Sequence, residues 1–221
     1  CAATACASLD AQGVRIAVHG ALPPQERAGF RPAFLKLGPA AFHRIHADPQ
    51  RRLDLASVLA EAARRGVQVV AEGVEDAREL ATLFDLGCDF VHLGQEDLAE
   101  ADLAALRRAN VRIGVSTHTP EELETALRAC PDYVALGPIW PTLLKVMKYP
   151  PQGLARIGQW KKQIQAIPLV AIGGLTPDRA PLVLQAGADS ACVVTDVLTH
   201  ADPESRSKEW LRATEPFRKK T

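Results

Sequence analysis

The sequence lacks an excess of either charge. Lys plus Arg number 26 and Asp plus Glu number 26, so the net charge is zero. That leaves no electrostatic footprint for a nucleic acid or an acidic membrane surface. Long apolar runs are missing as well. The longest are of strand length, too short to cross a bilayer, so no membrane partner is expected. There is no CxxC and no Cys/His cluster. The five cysteines, at positions 1, 6, 88, 130 and 192, are scattered and odd in number. A reduced, cytoplasmic protein is the simplest reading, with each cysteine a small buried hydrophobe. No GxGxxG follows the first strand-like run, so nothing supports a dinucleotide site. The opening residues CAATACASLDAQG contain no basic start and no signal-like apolar block, and no Met precedes them. A processed chain, or one numbered from an internal point, is the expectation.

What the sequence does contain is alternation. Short apolar runs lie at 14–20, 33–38, 67–73, 89–94, 111–116, 132–138, 167–174 and 190–196. Between most of them lie stretches with apolar residues at three- and four-residue spacing, such as Leu53, Leu55, Val58, Leu59 and Ala62. STHTPEEL, LTPDRAPL and HADPESRSKEW supply caps and early prolines for helix starts. Gly66 and Gly87 stand where helix C-caps belong. Strands rich in Val, Ile and Leu on both faces predict a parallel sheet covered by helices. Eight such βα units in 221 residues predict a single (β/α)8 TIM-barrel domain over 1–221, with an open doubly wound sheet as the alternative. The Pro-rich stretch 21–32 reads as irregular.

In a barrel of this kind, chemistry lies at the C-terminal strand ends. Read in order, those ends offer His19, Lys36, Glu72, Glu96 with Asp97, and Ser116 with Thr117 and His118. After them come Pro138 with the loop to Lys148, Gly173 with Gly174, and Thr195 with Asp196. Gly173 and Gly174 would bring bare N–H groups beside a helix start, a geometry suited to phosphate, with Thr195 adjacent; a tight strand-to-helix turn is the plainer reason for two glycines. Asp97 offers a hard oxygen to Mg2+, or it caps the next helix. Ser116 and Thr117 offer hydroxyls to a ligand, or serve as helix caps. Lys145 and Lys148 sit in a long connection that could meet a polyphosphate. His118 is expected at a helix start rather than as a base.

Residues 90–218 resemble thiamine phosphate synthase. The resemblance is carried by VHLGQEDL (91–98), IGVSTHTPEEL (113–123), DYVALGPIWPT (132–142), Lys145, PQGL (151–154), PLVAIGGLTPDRA (168–180), QAGADS (185–190) and VVTDVL (193–198). It implies a transferase that joins a hydroxymethylpyrimidine diphosphate to a thiazole phosphate and releases diphosphate with Mg2+ assistance. By position it implies that Asp97 holds Mg2+. Ser116, Thr142 and Lys145 would meet the diphosphate, and Gly173, Gly174 and Thr195 the thiazole phosphate; Thr117, through its own hydroxyl, is a further phosphate-binding candidate. The family's T-x-T-K is Thr142-Leu143-Leu144-Lys145 here, one hydroxyl short, and Thr195 stands where a Ser is usual. Pro138 stands where related thiazole tautomerases carry a catalytic His, which argues against that activity.

Residues 13–90 do not follow the synthase pattern of Q-L-R-x-K at strand two and Asn-Asp at strand three. They resemble instead the C-terminal part of an EAL-type cyclic-di-GMP phosphodiesterase. GVRIAV (13–18), FLKLGPAAFHRIHADPQRR (34–52) and ARRGVQVVAEGVEDARELATLFDLGCDFV (63–91) carry that resemblance. The EAL strand itself is absent, and His19-Gly20 and Gly38 stand where that family has acids, so hydrolysis of cyclic-di-GMP is expected to be lost. A chimera joined at Leu86-Gly87-Cys88-Asp89, with an EAL-like 1–89 and a synthase-like 90–221, is the expectation; a diverged natural synthase is the alternative. Lys36 would then act as a phosphate-binding residue and Glu72 as a metal ligand, standing in for the missing set. Besides the transferase, two other functions are open: an inactive hybrid scaffold that keeps a phosphate site, and a degenerate cyclic-di-GMP-binding module.

Overall fold

The structure is a computed structural model that describes residues 17–19, 34–74, 76–142 and 148–217. The expected irregular stretch 21–32 and Lys145 lie outside the described residues. The chain divides into two compact units, the first ending at Val115 and the second starting at Ser116.

In the first unit the strands β1 (Ala17–His19), β2 (Phe34–Leu37), β3 (Gln68–Glu72) and β4 (Phe90–Leu93) are parallel neighbours in chain order. β4 pairs in turn with β5 (Arg112–Thr117), inside which the unit boundary falls. Each apolar run of the first unit thus yields a strand. Val69, Val70 and Ala71 are buried in succession. A strand buried on both faces has no polar side to alternate with, which is why these runs are continuous. The helices are α1 (Pro39–Phe42), α2 (Pro49–Arg64), α3 (Ala77–Asp85), α4 (Gln95–Glu100) and α5 (Leu103–Arg108). α2 buries Leu55, Leu59 and Ala62, while Leu53 of the same apolar pattern faces water at 64% exposure. Gly66 and Gly87 close α2 and α3 with φ of +67° and +87°, a conformation that costs glycine little. The N–H groups of Val67 and Cys88 reach back to Ala62 and Leu83 at 2.9 and 3.0 Å, as a Schellman closure requires.

The second unit holds α6 (Pro120–Arg128), β6 (Tyr133–Leu136), α7 (Gly153–Ile164), β7 (Leu169–Ile172), α8 (Ala180–Gln185), β8 (Ser190–Cys192), α9 (Thr195–Leu198) and α10 (Pro203–Thr214). β6, β7 and β8 are again parallel neighbours. Leu123, Val134, Leu136, Ile157, Trp160, Leu169 and Val183 build the core. Two starts differ from expectation. The strand expected over 190–196 ends at Cys192, and Thr195 already opens α9. α8 begins at Ala180 rather than at Thr176, because Arg179 and Ala180 first turn back onto the Thr176 carbonyl.

One device recurs in both units. Asp89, directly before β4, accepts the Val69 N–H of β3 through Oδ2 at 2.7 Å. Asp189, directly before β8, accepts the Leu169 N–H of β7 at 3.0 Å. Each aspartate follows a helix-closing glycine by two residues, Gly87 and Gly187. The turn that leaves the helix therefore delivers an acceptor to an amide at the start of the neighbouring strand, a backbone donor that needs a partner.

Candidate active site

The C-terminal strand ends of the first unit gather charge. Lys36, near the end of β2, forms an ion pair with Glu72 at the end of β3. Glu72 is in register with His92 of β4. His92 is half-buried, and desolvation holds its pKa down to about 4, with Lys36 pushing the same way and Glu72 and Asp97 opposing. The imidazole is therefore neutral at physiological pH. Asp97 lies in the first turn of α4, where its Oδ2 accepts the Gly94 N–H at 2.9 Å. It caps its own helix, the plainer of its two expected roles. A carboxylate has room for further partners beyond one N–H. Among the described residues no group of three His, Cys, Asp or Glu side chains is gathered in a metal-binding arrangement. Glu72, paired with Lys36, and Asp97, bonded to the Gly94 N–H, each keep carboxylate lone pairs of the hard-oxygen kind that suits Mg2+.

In the second unit the adjacent hydroxyls Ser116 and Thr117 part company. Thr117 is fully buried; its Oγ1 donates to the Ala135 carbonyl of β6 at 2.9 Å and accepts the Trp160 Nε1–H of α7 at 2.9 Å. Its hydroxyl is spent in the core, so the expected phosphate contact at Thr117 has no hydroxyl to make it. Strand alternation turns Ser116 to the opposite face from the helix layer, and it is half-buried there.

Gly173 and Gly174 follow β7 with φ of +96° and +64°. A Cβ on Gly173 would lie 2.6 Å from Pro138 Cβ, and one on Gly174 would lie 2.4 Å from the Pro141 carbonyl. The segment after β6 thus runs against this turn. It is fastened by Ile139 N–H to the Ile172 carbonyl at 2.9 Å and by Trp140 N–H to the Gly173 carbonyl at 3.1 Å. Arg179 closes the turn from the other side, with Nη1 on the Gly174 carbonyl at 2.6 Å and its guanidinium 5.1 Å from the Trp140 ring. This packing accounts for both glycines. Thr142, half-buried, ends the described part of that segment. Thr195 opens α9, and its neighbour Asp196 accepts Arg206 Nη2 at 2.7 Å and Nε at 2.8 Å, and the Trp210 Nε1–H at 2.8 Å. Partial burial pushes the Asp196 carboxyl up, but the Arg206 and Trp210 hydrogen bonds outweigh it and hold the group below the ordinary carboxylate range.

One cluster was not foreseen from the sequence. His118 Nδ1 lies 2.8 Å from Glu122 Oε2, and the same oxygen accepts the His118 backbone N–H at 2.7 Å. Tyr149 donates its hydroxyl to Glu122 Oε1 at 2.6 Å, and its ring stacks on His118 at 4.4 Å between centroids. The four-residue spacing of His118 and Glu122 was visible. Tyr149, 27 residues further on, had no local signal.

Residues 35–197 match the thiamine monophosphate synthase family. The chain belongs to that family. A thiamine-phosphate synthase of Rhizobium etli is 54% identical over 171 residues, which is 77% of this chain and 81% of that protein. One of Cronobacter sakazakii is 45% identical over 125 residues, 57% of this chain, and the chain spans about half, 56%, of that relative's length. The solved structure of a thiamine phosphate pyrophosphorylase from Pyrococcus furiosus has a TM-score of 0.62 at 21% identity, covering 91% of this chain and 96% of that one. That likeness shows the fold, a parallel α/β fold of the TIM-barrel kind. The family match begins at residue 35 and runs through the Leu86–Asp89 turn, so it takes in most of the stretch that resembles an EAL-type enzyme. Nothing in these matches shows an EAL-type portion or a join.

Proposed function

We propose that the chain is a thiamine-phosphate-synthase-type transferase. It would join a hydroxymethylpyrimidine diphosphate to a thiazole phosphate and release diphosphate. The observation that carries this reading is the 54% identity to the Rhizobium etli synthase, extending over 81% of that protein. In this reading the strands close as a single eight-stranded barrel domain, and the protein is cytoplasmic with small phosphorylated substrates and no nucleic-acid partner. For residues 1–89 we favour divergence within the synthase family over a join with an EAL-type segment, because the family match starts at residue 35. No observation favours a cyclic-di-GMP-binding module.

The chemistry asks for charge neutralisation at a leaving diphosphate and for orientation of an incoming nucleophile. Ser116 and Thr142 would donate hydroxyl hydrogen bonds to the diphosphate, and Lys145 would add a point charge. The turn at Gly173 and Gly174, with Thr195, would hold the thiazole phosphate. Asp97 would ligate Mg2+, which when bound supplies further charge neutralisation to the diphosphate. Lys36, drawn to Glu72, would present its ammonium as a partial substitute for the basic residues missing from β2. Thr117 contributes position and no contact.

Steady-state turnover of Lys145→Ala and Ser116→Ala tests these roles. Losing a charged partner in the transition state costs about 2–4 kcal/mol, or roughly 30- to 1,000-fold in kcat/KM. Variants with undiminished turnover would remove both residues from the diphosphate site.

A further inference from the structure

We propose that Tyr149 is a positioning residue for the diphosphate group, seated by Glu122 and His118. The inference rests on the transferase reading and deepens it. The connection from β6 to α7 carries Thr142 on its outgoing limb and Lys148 on its return. Its base is stitched by Gln152 N–H to the Pro138 carbonyl at 2.8 Å and by Gly153 N–H to the Ile139 carbonyl at 3.1 Å. Further out, the return limb is held by Tyr149. Its hydroxyl donates to an ionised carboxylate at 2.6 Å, the short distance typical of a charge-assisted bond. Its ring lies on His118 with 13° between the planes, and the Lys148 ammonium stands 5.7 Å from the ring centroid.

Glu122 is fixed in its turn. It stands in the first turn of α6, behind the Thr119 cap and Pro120. Partial burial pushes its carboxyl up, but hydrogen bonds from Tyr149 and His118 outweigh that and hold it below the ordinary range. The negative form also suits a helix N-terminus. Two half-buried polar side chains therefore converge on one loop tyrosine. Fixing a surface connection costs conformational entropy and yields little burial in return. The return appears when a ligand binds, because a return limb already held at Tyr149 loses less freedom on meeting a polyanion. Glu122 and His118 thus act through Tyr149, and none of the three needs to touch a reacting atom.

Tyr149→Phe separates this role from simple packing, since it keeps the ring on His118 and removes only the hydroxyl. Calorimetry with inorganic pyrophosphate and Mg2+, alongside steady-state kinetics, supplies the readouts. The account predicts that the pyrophosphate Kd and the KM for the pyrimidine diphosphate each rise about tenfold, the worth of one charge-assisted hydrogen bond. The KM for the thiazole phosphate and the melting temperature stay near wild type. Unchanged pyrophosphate affinity, or equal loss for both substrates together with a lowered melting temperature, overturns the proposal. So does a wild-type protein that binds no pyrophosphate. A wild type that binds pyrophosphate but does not turn over would sink the transferase reading alone, and the Tyr149→Phe shift in Kd would still decide this one.

Discussion

Ser116 and Thr117 are chemically near-equivalent neighbours with opposite fates. The difference comes from strand alternation, which sends one hydroxyl toward the helix layer and the other away from it. Trp160 brings a buried indole N–H, which needs an acceptor, and Thr117 is that acceptor. Thr117→Val would therefore strand the Trp160 N–H and lose a bond to the Ala135 carbonyl, at a cost of about 2–4 kcal/mol. Urea unfolding should show that loss while the KM values stay within about twofold of wild type. A selective rise in one KM with unchanged stability would return Thr117 to the binding site. From the sequence the two residues could not be told apart, because the deciding partner lies 43 positions away.

At the scale of elements, the helix-closing glycines explain much of why the helix ends were legible. Gly66 and Gly87 marked helix ends because positive φ is a local demand that sequence displays openly. The aspartates at 89 and 189 carried no such local signal, because each accepts from a strand amide 20 positions earlier. Asp189→Ala would orphan the Leu169 N–H and release Lys161, which pairs with the same carboxylate at 2.6 Å. A destabilisation of about 1–3 kcal/mol is expected for a buried amide left without its acceptor. A change below about 0.5 kcal/mol by denaturant melt would mean water replaces it. What the sequence hid were pairings between elements. Lys36 with Glu72, Asp196 with Arg206, and Tyr149 with Glu122 all join residues at least ten positions apart, on separate elements. Asp97 was ambiguous for another reason: an acid at the third position of a helix serves as cap and as metal ligand equally well.

For the whole molecule, buried and paired ionisable groups set the response to acid. His92 is held neutral, with its pKa lowered to about 4, whereas an unfolded histidine titrates near 6.5. Between those values the unfolded chain binds a proton that the folded chain refuses. Stability from this site is therefore full above about pH 6.5 and is lost progressively toward pH 4, by roughly 3 kcal/mol. Below that, the carboxyls of Glu122 and Asp196, both held under their ordinary values, withdraw their own contributions as they protonate. Urea midpoints measured from pH 7 to pH 4 should fall, and His92→Asn should flatten the slope. An unchanged slope in that variant would locate the acid sensitivity elsewhere.

The family assignment makes one experiment decisive. Purified, folded protein is given the pyrimidine diphosphate, the thiazole phosphate and Mg2+, and thiamine phosphate is quantified after oxidation to its fluorescent form. Product well above a no-protein control, and strongly reduced in Lys145→Ala, is the result the transferase account predicts. A folded protein that forms no product, with both substrates present, would contradict it.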